Sequence, residues 1–234
     1  MCELFALSCN SKDRGTFSLP LFARYHTLYW HGWGIGYYED GKAVVKKSTE
    51  DPNSSEIFRK AVENARSNVI LAHLRLATRG EVCEKNCHPF RLGFLNREWL
   101  FAHNGDLPIN YQSKVESNTD SAMAFSFMID KIVEYLRRGR FRGIYPAVKL
   151  ATKKLLESYN GTLNYLLTDG NALFAFCNHR NMFMLRREKD YGGAILISTQ
   201  KLTNERWVPI PKNRIICLIN GELFVVSEKI NLEV

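Results

Sequence analysis

Apolar and polar positions alternate with a period of two over many short stretches of the chain, and with a period near 3.6 over three longer ones. Leu4 to Cys9, Trp33 to Glu39 and Ala43 to Lys47 read as strands, the last two flanking Asp40-Gly41, a two-residue hairpin turn. Ser54 or Ser55 then caps a helix with Ile57, Ala61, Val62 and Ala65 on its apolar face. Asn68 to Ala77 and Glu98 to His103 are strand-like, and two longer helices follow. The first starts near Asn118-Thr119 and places Ala122, Phe125, Met128, Ile129, Ile132, Val133 and Leu136 at helical spacing. The second runs from Tyr145 to Tyr159, with Pro146 in its first turn, where a missing N–H costs nothing. After Gly161 the period returns to two: Leu163 to Thr168, Ala172 to Cys177, Met182 to Arg186, Ala194 to Ser198, and Ile215 to Ser227 with an Asn220-Gly221 turn inside it. Strands, then helices, then strands, with no Gly/Ser/Pro-rich linker, predict a single α+β domain over residues 1–234 with antiparallel sheets and a helical layer.

Composition changes this picture little. With 234 residues, 45% hydrophobic and 24% charged, the chain can bury one sizeable core. No run approaches the roughly 18 apolar residues of a membrane span, and the start has no basic region of a signal peptide, so a cytoplasmic protein without a membrane partner is expected. Six cysteines (2, 9, 83, 87, 177 and 217) are too sparse for a disulfide scaffold and are expected to be reduced. The net charge of +8 raises the question of nucleic acid. Its densest patch, Arg137 to Arg142, reads as a helix end, where cations favour the dipole, and no recognition motif accompanies it, so nucleic acid is not the expected partner.

No P-loop, GxGxxG or HExxH motif is present, and no cofactor is implied. Cys2 becomes interesting if Met1 is removed, which a small second residue permits. It would then carry a thiol beside a free α-amine, and an amine titrating near about 7.7–8.0 is a base of suitable strength next to its own nucleophile. Taken alone, a cysteine at position 2 reads first as an incidental one. Arg75, at the end of a strand before Thr78-Arg79-Gly80, can present a guanidinium to a carboxylate, or simply form a salt bridge. Asn104-Gly105 reads as a turn after a strand, or as two donors at one point, the Asn amide and the Gly N–H, as in an oxyanion hole. Asp120, in Ser117-Asn118-Thr119-Asp120-Ser121, is explained by helix capping and can equally bind an ammonium. Cys83, Cys87, His88 and His103 suggest zinc, but C-x3-C-H lacks a second matching pair, so no metal is expected. His26, His31 and His179 read as turn or satisfied core residues.

Together and in this order, these features resemble class II glutamine amidotransferases, the N-terminal-nucleophile hydrolase group, and within it the stand-alone YafJ-type branch. The resemblance rests on Met1-Cys2-Glu3-Leu4, Gly32-Trp33-Gly34-Ile35, Ala72-His73-Leu74-Arg75, His88-Pro89-Phe90, Phe101-Ala102-His103-Asn104-Gly105 and Thr119-Asp120-Ser121, and covers nearly the whole chain. It implies a four-layer αββα sandwich. It implies that Cys2 attacks the γ-carboxamide of glutamine, giving a thioester and ammonia, with Asn104 and Gly105 holding the oxyanion. It further implies that Arg75 grips the substrate α-carboxylate and Asp120 its α-ammonium, with Thr78 lining the pocket. Arg79, Ala122 and His31 depart from the synthase members, where His, Glu and an acidic residue are common. No acceptor for ammonia is expected within the chain. That leaves a glutaminase-like subunit serving a separate synthase partner, or a self-contained hydrolase of a γ-glutamyl amide or peptide. A catalytically silent binding scaffold is the reading of another class.

Overall fold

The computed structural model describes residues 2–25, 31–77, 80–139, 143–187 and 193–231. From the amino-terminal end it holds β1 (Glu3–Asp13), α1 (Ser18–Ala23), β2 (Trp33–Glu39), β3 (Lys42–Ser48), α2 (Glu56–Asn64) and β4 (Ser67–Leu74). A 3-10 turn at Glu84–Asn86 leads to β5 (Phe90–Phe94) and β6 (Arg97–Asp106), then α3 (Asp120–Arg137) and α4 (Ile144–Ser158). The remaining strands are β7 (Thr162–Thr168), β8 (Ala172–Cys177), β9 (Phe183–Arg187), β10 (Ala194–Ser198), β11 (Val208–Pro209), β12 (Ile215–Ile219) and β13 (Glu222–Val226).

The strands form two antiparallel sheets, one ordered β11-β9-β10-β1-β4-β2-β3 and the other β13-β12-β8-β7-β6-β5. Because side chains alternate across a strand, each central strand feeds two cores. On β1, Leu4 and Ala6 face the second sheet, while Phe5, Leu7 and Cys9 pack with α1 and α2. On β6, Leu100 and Ala102 face the first sheet, while Trp99 and Phe101 pack with α3 and α4. Three apolar layers therefore separate four structural ones, and the expected α+β, αββα sandwich is observed.

Local choices follow the sequence with instructive exceptions. Ser55, not Ser54, caps α2 by accepting the Phe58 N–H. The buried face of that helix is Phe58, Ala61 and Val62, whereas Ile57, expected on it, is 47% exposed. One residue is about 100° of helix, enough to turn Ile57 away. Phe58 instead meets the fully buried Trp33 edge to face, with ring centroids 5.0 Å apart. The Asp40-Gly41 and Asn220-Gly221 turns both have positive φ at each residue, as hairpin turns of matching twist require. A third such turn, Leu95-Asn96, joins β5 to β6 and went unpredicted because leucine is an unusual left-handed residue. The six-residue α1 is too short to leave a periodic signal.

Candidate active site

The inward-facing rows of the two sheets change character at one end of the sandwich. In β4, Val69 and Leu71 are followed in the same row by His73, and in β6 Leu100 and Ala102 by Asn104. In β7, Leu166 gives way to Asn164, which pairs in register with Asn104. Cys2 precedes Leu4 by the same interval. The aliphatic filling thus ends in a polar row shared by both sheets.

A cavity of about 280 Å³ opens there, with Cys2, Arg75, Asn104, Gly105 and Asp120 in its wall. β4 ends at Leu74, short of the Ala77 expected, and Arg75 to Ala77 follow without regular secondary structure. That segment is tied down at each residue: the Arg75 N–H donates to the Gly32 carbonyl at 2.7 Å, and the Ala77 N–H to His31 Nδ1 at 2.7 Å. Between them, the Leu76 N–H donates to Cys2 Sγ at 3.2 Å. Surrounding protein pushes the Cys2 thiol up, opposed by this N–H and by the Arg75 charge. Arg75 is 4% exposed, and its Nη1 donates to the Glu81 carbonyl at 3.0 Å.

Asn104-Gly105 is not a turn. β6 runs through it to Asp106, with Gly105 opposite Leu163. A Cβ on Gly105 would lie 2.1 Å from the Thr162 carbonyl oxygen and 2.7 Å from His103 Nε2, so only glycine fits. Asn104 Nδ2 donates to the Cys2 carbonyl at 2.5 Å, which couples the backbone of Cys2 to the second sheet. Asp120 is the first residue of α3, with Thr119 as the cap accepting from Ala122 N–H. Its carboxylate accepts from Leu107 N–H at 3.0 Å and Ser121 N–H at 2.8 Å, which fixes its direction and leaves further lone pairs for a ligand. Thr78 lies outside the described residues.

Beneath the cavity sit three buried imidazoles. The His73 and His88 rings are 4.2 Å apart, His88 Nδ1 accepts the His103 N–H at 3.3 Å, and His103 Nδ1 meets Ser121 Oγ at 2.8 Å. Burial, reinforced by the other two rings, holds His88 well below the ordinary histidine range. Burial also lowers His103, with Asp120 pulling the other way. Gly34 explains why Gly-Trp-Gly-Ile and His-Pro-Phe occur together: a Cβ there would lie 2.0 Å from the His88 carbonyl oxygen. β2 thus seats the His88 segment by direct backbone approach.

The zinc reading finds no support in this geometry. Cys87 Sγ points to the carbonyls of Cys83 and His31, at 3.6 and 3.7 Å. Among the described residues, no group of three or more His, Cys, Asp or Glu is arranged to hold a metal ion. Likewise, no helix among them is long and apolar enough to cross a membrane. His31 is a satisfied acceptor and His179 lies in an exposed bend at the cavity rim, both as expected, and His26 lies outside the described residues. Arg180, which donates to the Cys2 carbonyl, carried no signal in the sequence, and Glu3 entered only as part of the Met1-Cys2-Glu3-Leu4 match.

A sandwich of this topology with a cysteine at the amino-terminal end of its central strand defines a class, and the comparisons agree. The family model described as "Glutamine amidotransferases class-II" matches residues 1–197, and the chain belongs to that family. Among its relatives is the Escherichia coli (strain K12) protein named "Putative glutamine amidotransferase YafJ", 31% identical over 255 aligned residues, covering 93% of this chain and 98% of the relative. Among solved structures, one described as a predicted glutamine amidotransferase from Pseudomonas aeruginosa PA01 superposes with a TM-score of 0.69 at 23% identity, covering 96% of this chain and 100% of that one. The glutamine phosphoribosylpyrophosphate amidotransferase of B. subtilis superposes with a TM-score of 0.71 at 13% identity, over all of this chain and 50% of that one. The fold is that of the N-terminal nucleophile hydrolases.

Proposed function

We propose that the protein hydrolyses a γ-glutamyl amide, glutamine in the first place, through a thioester on Cys2. Removal of Met1 gives Cys2 a free α-amine, a base titrating near about 7.7–8.0. Burial pushes the Cys2 thiol up, which favours holding its proton until attack. As Sγ attacks the γ-carboxamide carbon, its proton passes to the amine, directly or through one water. Asn104 Nδ2 and the Gly105 N–H receive the oxyanion. Collapse breaks the C–N bond, the amine returns the proton to the leaving nitrogen, and ammonia departs. Water then attacks the thioester by the same route, releasing glutamate and restoring the thiol. Arg75 takes the α-carboxylate and Asp120 the α-ammonium.

The observation that carries the reading is convergence. Residues spread from 2 to 120 along the chain line one cavity, with a cation and an anion to match the two charges of an amino-acid head. A silent scaffold would have no use for that combination. The test is incubation with 6-diazo-5-oxo-norleucine, mapping of the adduct, and comparison of glutamine with γ-glutamyl peptides as substrates. The label is expected on Cys2, with Met1 absent by intact mass. Equal labelling of another cysteine, or activity in Cys2→Ala, would refute the mechanism.

A further inference from the structure

A second buried polar network lies directly behind Cys2. Arg180 sits in the segment that leaves the six-stranded sheet at the end of β8 and enters the seven-stranded sheet at β9. Its backbone is pinned by Asn164, which donates to the Arg180 carbonyl at 2.9 Å and accepts the His179 N–H at 3.2 Å. The Asn178 side chain adds two bonds, accepting from Leu163 N–H at 2.7 Å and donating to the Gly161 carbonyl at 3.1 Å. From this fixed point the guanidinium reaches back to the start of the chain. Nη1 donates to the Cys2 carbonyl at 2.8 Å, and Nη2 lies 3.1 and 3.3 Å from the two Glu3 carboxylate oxygens. Glu3 is 6% exposed and also accepts from Thr199 Oγ1 and Gln200 Nε2, at 2.5 and 3.1 Å.

We propose that Arg180, oriented by Glu3, is a positioning residue for the amino-terminal nucleophile; this rests on the function proposed above. Once Met1 is gone, Cys2 is covalently held on one side only, and rotation about its remaining backbone bonds moves Sγ and the α-amine together. The carbonyl is the handle by which that rotation is stopped. Asn104 Nδ2 also holds it, but the same amide is required at the oxyanion during reaction. Arg180 supplies a second anchor that stays in place when Asn104 turns to the substrate. A fork of N–H groups is suited to this because one arm binds the carbonyl while the other is locked on Glu3, which a single ammonium does less well.

The test uses the full chain as E3Q/R180M, which removes the anchor without stranding a buried charge, and as R180K. Each is checked for Met1 removal by intact mass and for folding by thermal unfolding, then assayed on glutamine. For a small displacement of a reacting atom we expect kcat to fall about 30-fold in E3Q/R180M and about fivefold in R180K, with KM within about twofold of wild type. A merely structural pair would lower the unfolding temperature and leave kcat per folded molecule alone. An unchanged kcat in folded E3Q/R180M, or a loss confined to KM, overturns the proposal. If the double variant does not fold, an unchanged kcat in R180K overturns it. Absence of Cys2-dependent hydrolysis in the wild type would instead overturn the function proposed above.

Discussion

The middle of the sandwich and its cavity end are built from the same strands and differ in almost everything else. In the middle, Leu4, Ala6, Leu71, Leu100, Ala102 and Leu166 fill the space between the sheets with aliphatic groups that have no exposure to water or nearly none. Two residues further along the same rows, the side chains are Cys2, His73, Asn104 and Asn164, and buried Glu3 lies beside them. Burying polar groups is costly unless each finds a partner; here Cys2, Glu3, Asn104 and Asn164 are hydrogen-bonded to protein groups, and the His73 ring packs on His88. The dry region holds the two sheets together without directional preference. The polar region spends directional bonds on fixing one residue, Cys2, by its sulfur to Leu76 and by its carbonyl to Asn104 and Arg180. Stability and chemistry are thus adjacent yet separable, and substitutions can pull them apart.

The largest separation is expected from Cys2→Ala. Activity should fall about 10⁴-fold or more while stability drops by no more than about 1.5 kcal/mol, the worth of the lost hydrogen bond to Leu76, read by glutamine hydrolysis and denaturant unfolding. Asn104→Ala comes next, with kcat reduced about 10²–10³-fold if its amide serves the oxyanion. A loss expressed only in KM would contradict that role. Leu166→Ala should show the reverse pattern: about 3 kcal/mol less stability from the cavity left between the sheets, and kcat/KM per folded molecule within about twofold of wild type. The smallest effect is one of pH. His88 and His103 are held below the ordinary value of 6.5, so above that pH neither folded nor unfolded chain binds these protons. As pH falls below 6.5 the unfolded chain takes them up first, and stability drops towards acid. His88→Gln should flatten part of that slope in melting temperatures recorded from pH 7 to 5, and an unchanged slope would place its origin elsewhere.

Much of this was readable from residue order. Asp40-Gly41 and Asn220-Gly221 specify their turns because glycine and small polar residues accept positive φ. The rows of α3 and α4 are visible because one face repeats over four to five turns. Asn104-Gly105 shows the limit of local rules. A pair that favours a turn is drawn out as strand by seven paired positions between β6 and β7, and its glycine is needed for contact with Thr162 and His103. Ile57 shows the limit of periodicity, since two apolar registers were available and the position of Trp33 selected Phe58. The contact between Glu3 and Arg180 was invisible for a simpler reason. They meet across 177 positions, and nothing in Asn178-His179-Arg180 distinguishes it from any polar connection.

The sequence by itself determined the layers, since alternation decides which face of each strand is apolar and the order of strands and helices decides what covers it. It also marked Cys2, Arg75, Asn104, Gly105 and Asp120, through motifs specific in combination. Only the tertiary structure decided that these five line one cavity, that the Cys2 carbonyl is held from the opposite sheet, and that Arg180 reaches it. The physical reason is range. Backbone preference and periodicity act over a few residues, whereas a hydrogen bond between distant segments exists only once the sheets have packed and fixed both ends.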